Sequence, residues 1–220
     1  LKNYAKKFYK SYFLQSMKKP PYIDAKLAIS KDYLTINKKN KWITNNSSRK
    51  VGNFLRTRYD CILSTSKTIN YDNSLLNCRI EGLEQKSPAV IIVDRLFKIK
   101  KKLKIFKNKS REIFIFTQTK NLSKEIYFNR IGVNIIKLKR SDNLKNDISE
   151  VYFFLKQLGF NRILIESGIK YINEVLKYNF IKNFYLFKSS FSLKNNGKNN
   201  TKSTLIRKLN GTIKNRVNVN

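Results

Sequence analysis

Apolar residues at 23, 25, 27 and 29 alternate with Asp24, Lys26 and Ala28, a period of about 2 that predicts a first β-strand with one buried face. A polar stretch over 30–40 reads as a loop. Thr44 is placed to cap a helix running to about 58, with Val51, Phe54 and Leu55 turned inward and Arg49, Lys50 and Arg56 on other faces. Cys61-Ile62-Leu63 reads as a second strand, and 64–79 as a turn-rich loop with a short helix. Further strands are expected over 89–94, 112–116 and 133–138, the first an unbroken apolar block. The apolar positions Val151, Phe154, Leu155 and Leu158 predict a helix over 148–158, ended by Gly159. The pattern is sharpest at 161–174: a β-branched triplet, Ile163-Leu164-Ile165, runs into Glu166-Ser167-Gly168 and then into Ile169, Ile172, Val175 and Leu176 at helical spacing. A last strand follows at 183–187.

This alternation predicts an α/β fold with a mainly parallel sheet, right-handed crossovers and helices on both faces. In such a sheet ligands sit where a strand's carboxyl end meets a helix N-terminus, because free N–H groups and the positive end of the helix dipole point into one crevice. The 163–168 corner is such a place, and Gly168 lets a phosphate or a ring come close to the backbone. Outside this core, 1–17 carries two apolar stripes, Tyr4, Phe8 and Tyr12 beside Ala5, Tyr9 and Phe13. They predict an amphipathic connector helix stopped by Pro20-Pro21. The run 98–109 holds seven lysines in twelve positions and reads as a solvated loop between strands. Residues 192–204, rich in Asn, Lys, Ser and Gly, read as mobile.

Composition narrows the possibilities. A chain of 220 residues accommodates one α/β domain with a full core. The formal charge of +33 would ordinarily point to nucleic acid, but the excess is mostly lysine, scattered and accompanied by abundant Asn and Ile, with no RGG, RNP or zinc-finger pattern to focus it. A dedicated nucleic-acid role is therefore disfavoured. Cys61 and Cys78 show no CxxC spacing and read as reduced, buried residues of a cytoplasmic protein. No apolar run approaches the ~18 residues of a membrane helix. The chain begins at Leu1, so a preceding segment is expected. Histidine is absent, which removes His-based metal sites, the Ser-His-Asp and Cys-His nucleophiles and the usual proton shuttle. Any hard chemical step falls to a cofactor, or to carboxylates, Lys, Tyr or water.

A Rossmann fingerprint and a P-loop are both missing, since Ile29-Ser30-Lys31-Asp32 holds no glycine after the first strand. What remains is backbone-rich turns at strand ends and three arginines suited to anions, Arg56, Arg79 and Arg95. Against that stand plain structural roles. Trp42 is equally readable as a core aromatic, Asp72 as a helix cap and Glu166 as a partner for a lysine.

Taken together, 21–32 (Pro-Tyr-Ile-Asp-Ala-Lys-Leu-Ala-Ile-Ser-Lys-Asp), Lys41-Trp42-Ile43-Thr44, Leu55-Arg56, Asp60-Cys61-Ile62-Leu63 and the spaced Thr68, Asp72, Leu76 and Arg79 form a series. It resembles the reductase domain of riboflavin biosynthesis, the C-terminal half of the bifunctional pyrimidine deaminase/reductase, over about 20–190. The resemblance implies a dihydrofolate-reductase-like three-layer α/β/α fold and NADPH-dependent reduction of 5-amino-6-(5-phosphoribosylamino)uracil to the ribitylamino compound. It implies a connector over 1–20, a reductase domain over 21–190 and a basic C-terminal segment over 191–220 that stops before a closing strand. A deaminase domain ahead of Leu1 and a homodimer are the partners it allows.

By the same resemblance, Ala28, Trp42, Thr68 and Asp72 contact the nicotinamide cofactor, and Arg95, standing where the family often has a small hydroxyl residue near the adenosine end, is a candidate partner for an NADPH 2′-phosphate. The cofactor phosphates meet the helix start formed by Gly168, Ile169, Lys170 and Tyr171, followed by Ile172, Asn173 and Glu174. Asn40, Arg56, Leu76, Arg79 and Glu166 hold the phosphorylated sugar substrate; the resemblance assigns no proton donor, and with no histidine in the chain Asp72 or an ordered water is the candidate. Departures are clear. The family's Ser-Leu-Asp-Gly is Ser30-Lys31-Asp32-Tyr33 here, with a following loop about two residues shorter, and Tyr33 is expected to crowd the cofactor edge. Ser167 replaces a small Gly or Ala, and Ile169-Lys170 replaces the usual Pro-Thr, which removes a hydroxyl and adds a charge. A related reductase with another substrate, a basic RNA-binding module and an inactive domain are the alternatives.

Overall fold

The computed structural model describes residues 20–40, 42–107 and 110–201. The connector helix expected over 1–17 lies outside them, as does the chain beyond 201. Seven parallel strands form one sheet in the order β6-β5-β4-β3-β7-β1-β8. In chain order these are β1 (Tyr22–Ile29), β3 (Cys61–Thr65), β4 (Ala89–Val93), β5 (Ile113–Thr117), β6 (Asn134–Lys137), β7 (Arg162–Ile165) and β8 (Asn183–Lys188). Five helices connect them: α1 (Asn46–Arg56), α2 (Ser66–Asp72), α3 (Leu122–Arg130), α4 (Leu144–Gln157) and α5 (Ile169–Lys177). Two short strands, β2 (Leu34–Asn37) and β9 (Gly197–Asn200), pair antiparallel beside the sheet.

The central strands are apolar throughout because both their faces are covered. Along β4, Ala89 and Ile91 join one core with α4 and α5, while Val90 and Ile92 join a second core with Leu55 of α1, Ile69 of α2 and Phe128 of α3. Successive strand side chains point to opposite faces, so an unbroken block is what a doubly covered strand requires. The predicted alternation of β1 is present, with Ile23, Ala25, Leu27 and Ile29 in the first core. Its polar face, however, does not look into solvent. Asp24 is buried and accepts hydrogen bonds from the Tyr59 hydroxyl (2.5 Å) and from the Asn183 backbone N–H (2.8 Å).

Four expectations need correction. The cap of α1 is Asn45, whose side chain accepts from the Ser48 N–H (2.8 Å), rather than Thr44. That helix is also rotated. Val51 and Phe54 are about half exposed (44% and 50%), while Ser48, Gly52, Asn53 and Leu55 are buried. Over its described part, 98–107, the lysine-rich run is not simply solvated, since Ile99, Leu103, Ile105 and Phe106 enter the second core. It is pinned by the Asp94 carboxylate and the Asn70 and Asn73 side chains, which accept the N–H groups of Ile99, Lys100 and Lys104. Finally, the mobile segment expected from 192 and the polar loop expected over 30–40 contain β9 and β2, which pair with each other, so the folded unit extends past 190 to at least Thr201. Short polar strands that find their partner some 160 residues away leave no local signal.

The ribbon accounts for the Tyr33 departure from the family pattern. Tyr33 sits at φ 65, a left-handed conformation that glycine adopts freely and tyrosine does not. It is held there by Thr201, whose N–H and hydroxyl both donate to the Tyr33 carbonyl, and by Lys188, whose ammonium lies 4.3 Å from the ring centroid. The ring is thus turned onto the core and Lys188. At the other strand, a Cβ on Gly197 would lie 2.2 Å from Leu34 Cδ1 and 2.9 Å from Leu34 Cβ. Gly197→Ala is expected to cost about 1–3 kcal/mol through overpacking. Hydrogen exchange should show loss of protection confined to the β2–β9 amides, and unchanged protection there would refute the close approach.

Candidate active site

The chain runs outward from β3 to β6, then returns to insert β7 between β3 and β1. That reversal creates the crevice at the strand carboxyl ends. Glu166 leaves β7 there, with its N–H on the Leu63 carbonyl (3.0 Å). Its carboxylate receives a forked pair from Arg56 of α1, Nε to Oε1 at 2.6 Å and Nη2 to Oε2 at 2.9 Å. Lys26 approaches from β1, with Nζ 3.9 Å from Oε2. The rotation of α1 follows from this arrangement. Its inner side carries Asn53 and Arg56 to the charge cluster, and Lys26 passes alongside Gly52.

Burial alone would push the Glu166 carboxyl up, but the charge and hydrogen bonds of Arg56, followed by the charges of Lys26 and Arg79, hold it down at about 2. Arg56 is held in its charged form by the same pair in spite of its burial. Lys26 goes the other way: burial lowers its pKa, Arg56 adds to the lowering, and Glu166 and Asp72 oppose it. Lys26 is a member of this charge cluster that sequence reasoning did not single out. In β1 it was one of the alternating polar positions, and a lysine at such a position is nearly always solvated.

At the mouth, the Trp42 ring has the Arg49 guanidinium 5.0 Å and the Arg79 guanidinium 6.0 Å from its centroid. Trp42 is 45% exposed, which replaces the core-aromatic reading. Its loop is organised by Asn37, whose side chain accepts the N–H groups of Lys39 and Asn40 and donates to the Trp42 carbonyl. The Arg79 pKa is lowered by partial burial and then by Arg56 and Arg49. Cations gathered this closely favour an incoming anion.

Beside Glu166 lies a hydroxyl cluster at the start of α5. Thr65 Oγ1 is 3.1 Å from both Thr68 Oγ1 and Ser167 Oγ, and Thr68 Oγ1 accepts the Gly168 N–H (3.0 Å). Gly168 caps α5 without a side-chain hydrogen bond, so the next N–H groups of the helix remain available to a ligand. Gly168 has φ −68, and a Cβ there would lie 3.4 Å from Thr68 Oγ1. Its value is therefore open space rather than backbone freedom. Lys170 is exposed on the first turn, and Ser167 is buried, adding a hydroxyl near the place where the family pattern loses one. These residues suit a phosphate-bearing nicotinamide cofactor.

The remaining predicted positions divide. Ala28 is half-buried toward the end of β1, and Asp72 is exposed at the end of α2, where its charge reaches Lys26. Ile169 and Ile172 are buried in the first core and Tyr171 packs against it, so their side chains face away from the crevice. Asn173 and Glu174 lie farther along α5. The Leu76 side chain belongs to the second core. Arg95 stands apart: Nε meets Asp147 Oδ2 at 3.0 Å and Gln118 Oε1 at 2.9 Å, and Nη2 donates to the Ser141 carbonyl. Its side chain is 41% exposed, so the pair with Asp147 leaves part of the guanidinium at the surface.

The profile of the family described as RibD C-terminal domain matches residues 21–214. The chain belongs to the RibD C-terminal domain family. The riboflavin biosynthesis protein RibD of Aquifex aeolicus (strain VF5) is 28% identical over 185 residues, covering 83% of this chain and 50% of the relative. A relative from Buchnera aphidicola subsp. Acyrthosiphon pisum (strain APS), named 5-amino-6-(5-phosphoribosylamino)uracil reductase, is 29% identical over 139 residues, 58% of this chain and 64% of the relative. Among solved structures, the Thermotoga maritima diaminohydroxyphosphoribosylaminopyrimidine deaminase/5-amino-6-(5-phosphoribosylamino)uracil reductase has a TM-score of 0.71 at 22% identity. The match covers 87% of this chain and 51% of that one. The chain thus spans about half the length of the RibD relative from Aquifex, and its fold is the dihydrofolate-reductase-like one. Among the described residues, no helix is long and apolar enough to cross a membrane.

Proposed function

We propose that this chain reduces 5-amino-6-(5-phosphoribosylamino)uracil to its ribitylamino counterpart with NADPH. The observation that carries the reading is the largely buried Arg56–Glu166–Lys26 cluster, two residues ahead of a helix N-terminus that no side chain caps. In its bound state the nicotinamide supplies the hydride that adds to C1′ of the sugar. The residues of this chain do the rest. Thr68, Ser167 and the first N–H groups of α5 seat the cofactor phosphates, and Ala28 and Trp42 flank the nicotinamide. Arg79 and Arg49 take the substrate phosphate, because Arg56 is committed to Glu166 and to the Asn77 carbonyl. The Glu166 carboxylate retains lone pairs for sugar or pyrimidine donors.

Opening of the sugar at C1′ leaves its ring oxygen needing a proton, and Lys26 Nζ is the donor. Burial lowers its pKa and so eases proton release. Asp72, the residue expected in this role, instead joins Glu166 as the lesser of two charges that oppose the lowering of the Lys26 pKa. The same reading pairs the chain with a deaminase domain, as in the Thermotoga protein's name. NADPH is preferred over NADH on the family resemblance and on the formal charge of +33, which favours the extra phosphate.

Mixing the protein with NADPH and the aminouracil phosphate should consume NADPH absorbance, and NADH should serve less well. Salt-sensitive retention of RNA with no oxidation of NADPH would overturn the proposal.

A further inference from the structure

Arg111 lies just before β5 and takes no part in the roles given so far. Its Nη1 donates to the carbonyls of Leu76 (2.8 Å) and Pro88 (3.2 Å), and its Nη2 to the carbonyl of Leu75. The next carbonyl, that of Asn77, accepts from Arg56 Nη1 (2.8 Å). Three successive carbonyls are therefore held by guanidinium groups, one of which is anchored on Glu166.

The segment so gripped is strained. It leaves α2 through Asn73 at φ 45 and turns again through Leu76 at φ 51, both in the left-handed region. Non-glycine residues remain there only where the surroundings over-determine them. Beyond the second turn the chain delivers Arg79 to Trp42. Arg111 also occupies a costly position. Burial and the nearby Arg56 charge push its pKa down to about 10, and among the described residues the partners of its Nη atoms are carbonyls. A neutral donor would satisfy one such carbonyl more cheaply, whereas the planar fork fixes two at a set spacing.

We propose that Arg111 is a positioning residue: by fixing the Leu75 and Leu76 carbonyls it holds the left-handed turn that presents Arg79 to the phosphate end of the substrate. This role rests on the reductase reading. It separates substrate from cofactor, because the cofactor cradle of Thr68, Ser167 and α5 is built from other elements.

The test uses Arg111→Met and Arg111→Lys in the full chain, with KM and kcat for the aminouracil phosphate, NADPH affinity by fluorescence, and thermal unfolding. The expected result for Arg111→Met is a KM raised at least about tenfold with NADPH affinity within about twofold, and for Arg111→Lys a partial recovery of KM. Should the Met variant fail to fold, the Lys variant carries the same comparison. A lower unfolding temperature with KM unchanged, or equal weakening of substrate and cofactor, overturns the role. A wild-type protein inert toward this substrate overturns the reductase reading itself, and the two failures are read on different proteins.

Discussion

Glu166→Gln is expected to unfold about 8 °C below the wild type at pH 7 and to lose at least on the order of 10²-fold in kcat/KM. The substitution keeps the shape but leaves Arg56 and Lys26 buried without their counter-charge. Removing one partner of a buried pair costs about 3 kcal/mol or more, and for a chain of this size each kcal/mol moves the midpoint by about 2–4 °C. The effect has a definite pH dependence. The folded carboxyl, at about 2, lies below its unfolded value, so its stabilisation is complete above that value and is lost as pH falls toward 2. The gap between wild type and variant should therefore be wide at neutral pH and close on acidification below about pH 4. A gap that stays constant with pH would mean that the carboxylate charge is not what holds the cluster.

Lys26 gives the second large effect. Lys26→Met and Lys26→Arg are each expected to lower kcat by about 10²–10⁴-fold, the range for loss of a positioned general acid. Arginine keeps the charge but does not part with a proton near neutrality, so its failure separates proton donation from electrostatics. In the wild type, kcat should fall as pH rises through the lowered Lys26 pKa, and this basic limb should vanish from both variants. Stability should move the other way. Because the folded pKa lies below the unfolded one, the charged lysine is a cost at neutral pH, and Lys26→Met is expected to unfold no earlier than wild type. Retention of the basic limb in Lys26→Arg would assign the proton to another group.

The candidate site was legible in unequal parts. Glu166, Ser167 and Gly168 stood out because a β-branched triplet and a helical apolar period bracket them, leaving only a corner between. Arg56 and Arg79 were recognisable as anion-binding types, but neither the fork of Arg56 onto Glu166 nor the placing of Arg49 on the Trp42 ring left a signal in the sequence. Arg95 looked free in sequence because Asp147, which neutralises it, comes from another helix. On α1, apolarity pointed Val51 and Phe54 inward, whereas the helix turns Asn53 and Arg56 to the crevice.

The alternation of β1, the apolar blocks of β3, β4 and β7 and the period of α5 are properties of neighbouring residues, and the sequence alone fixes such properties through the 2-fold and 3.6-fold geometry of strands and helices. With them come the parallel sheet and the crevice at its carboxyl ends. Which charges meet in that crevice was decided only by the tertiary structure. Lys26, Arg56 and Glu166 come together because β7 inserts between β3 and β1 and because α1 rotates its polar side toward them. Strand order and helix rotation are settled by packing between segments more than 100 residues apart, and the energy of a buried ion pair does not exist until that packing has removed the water.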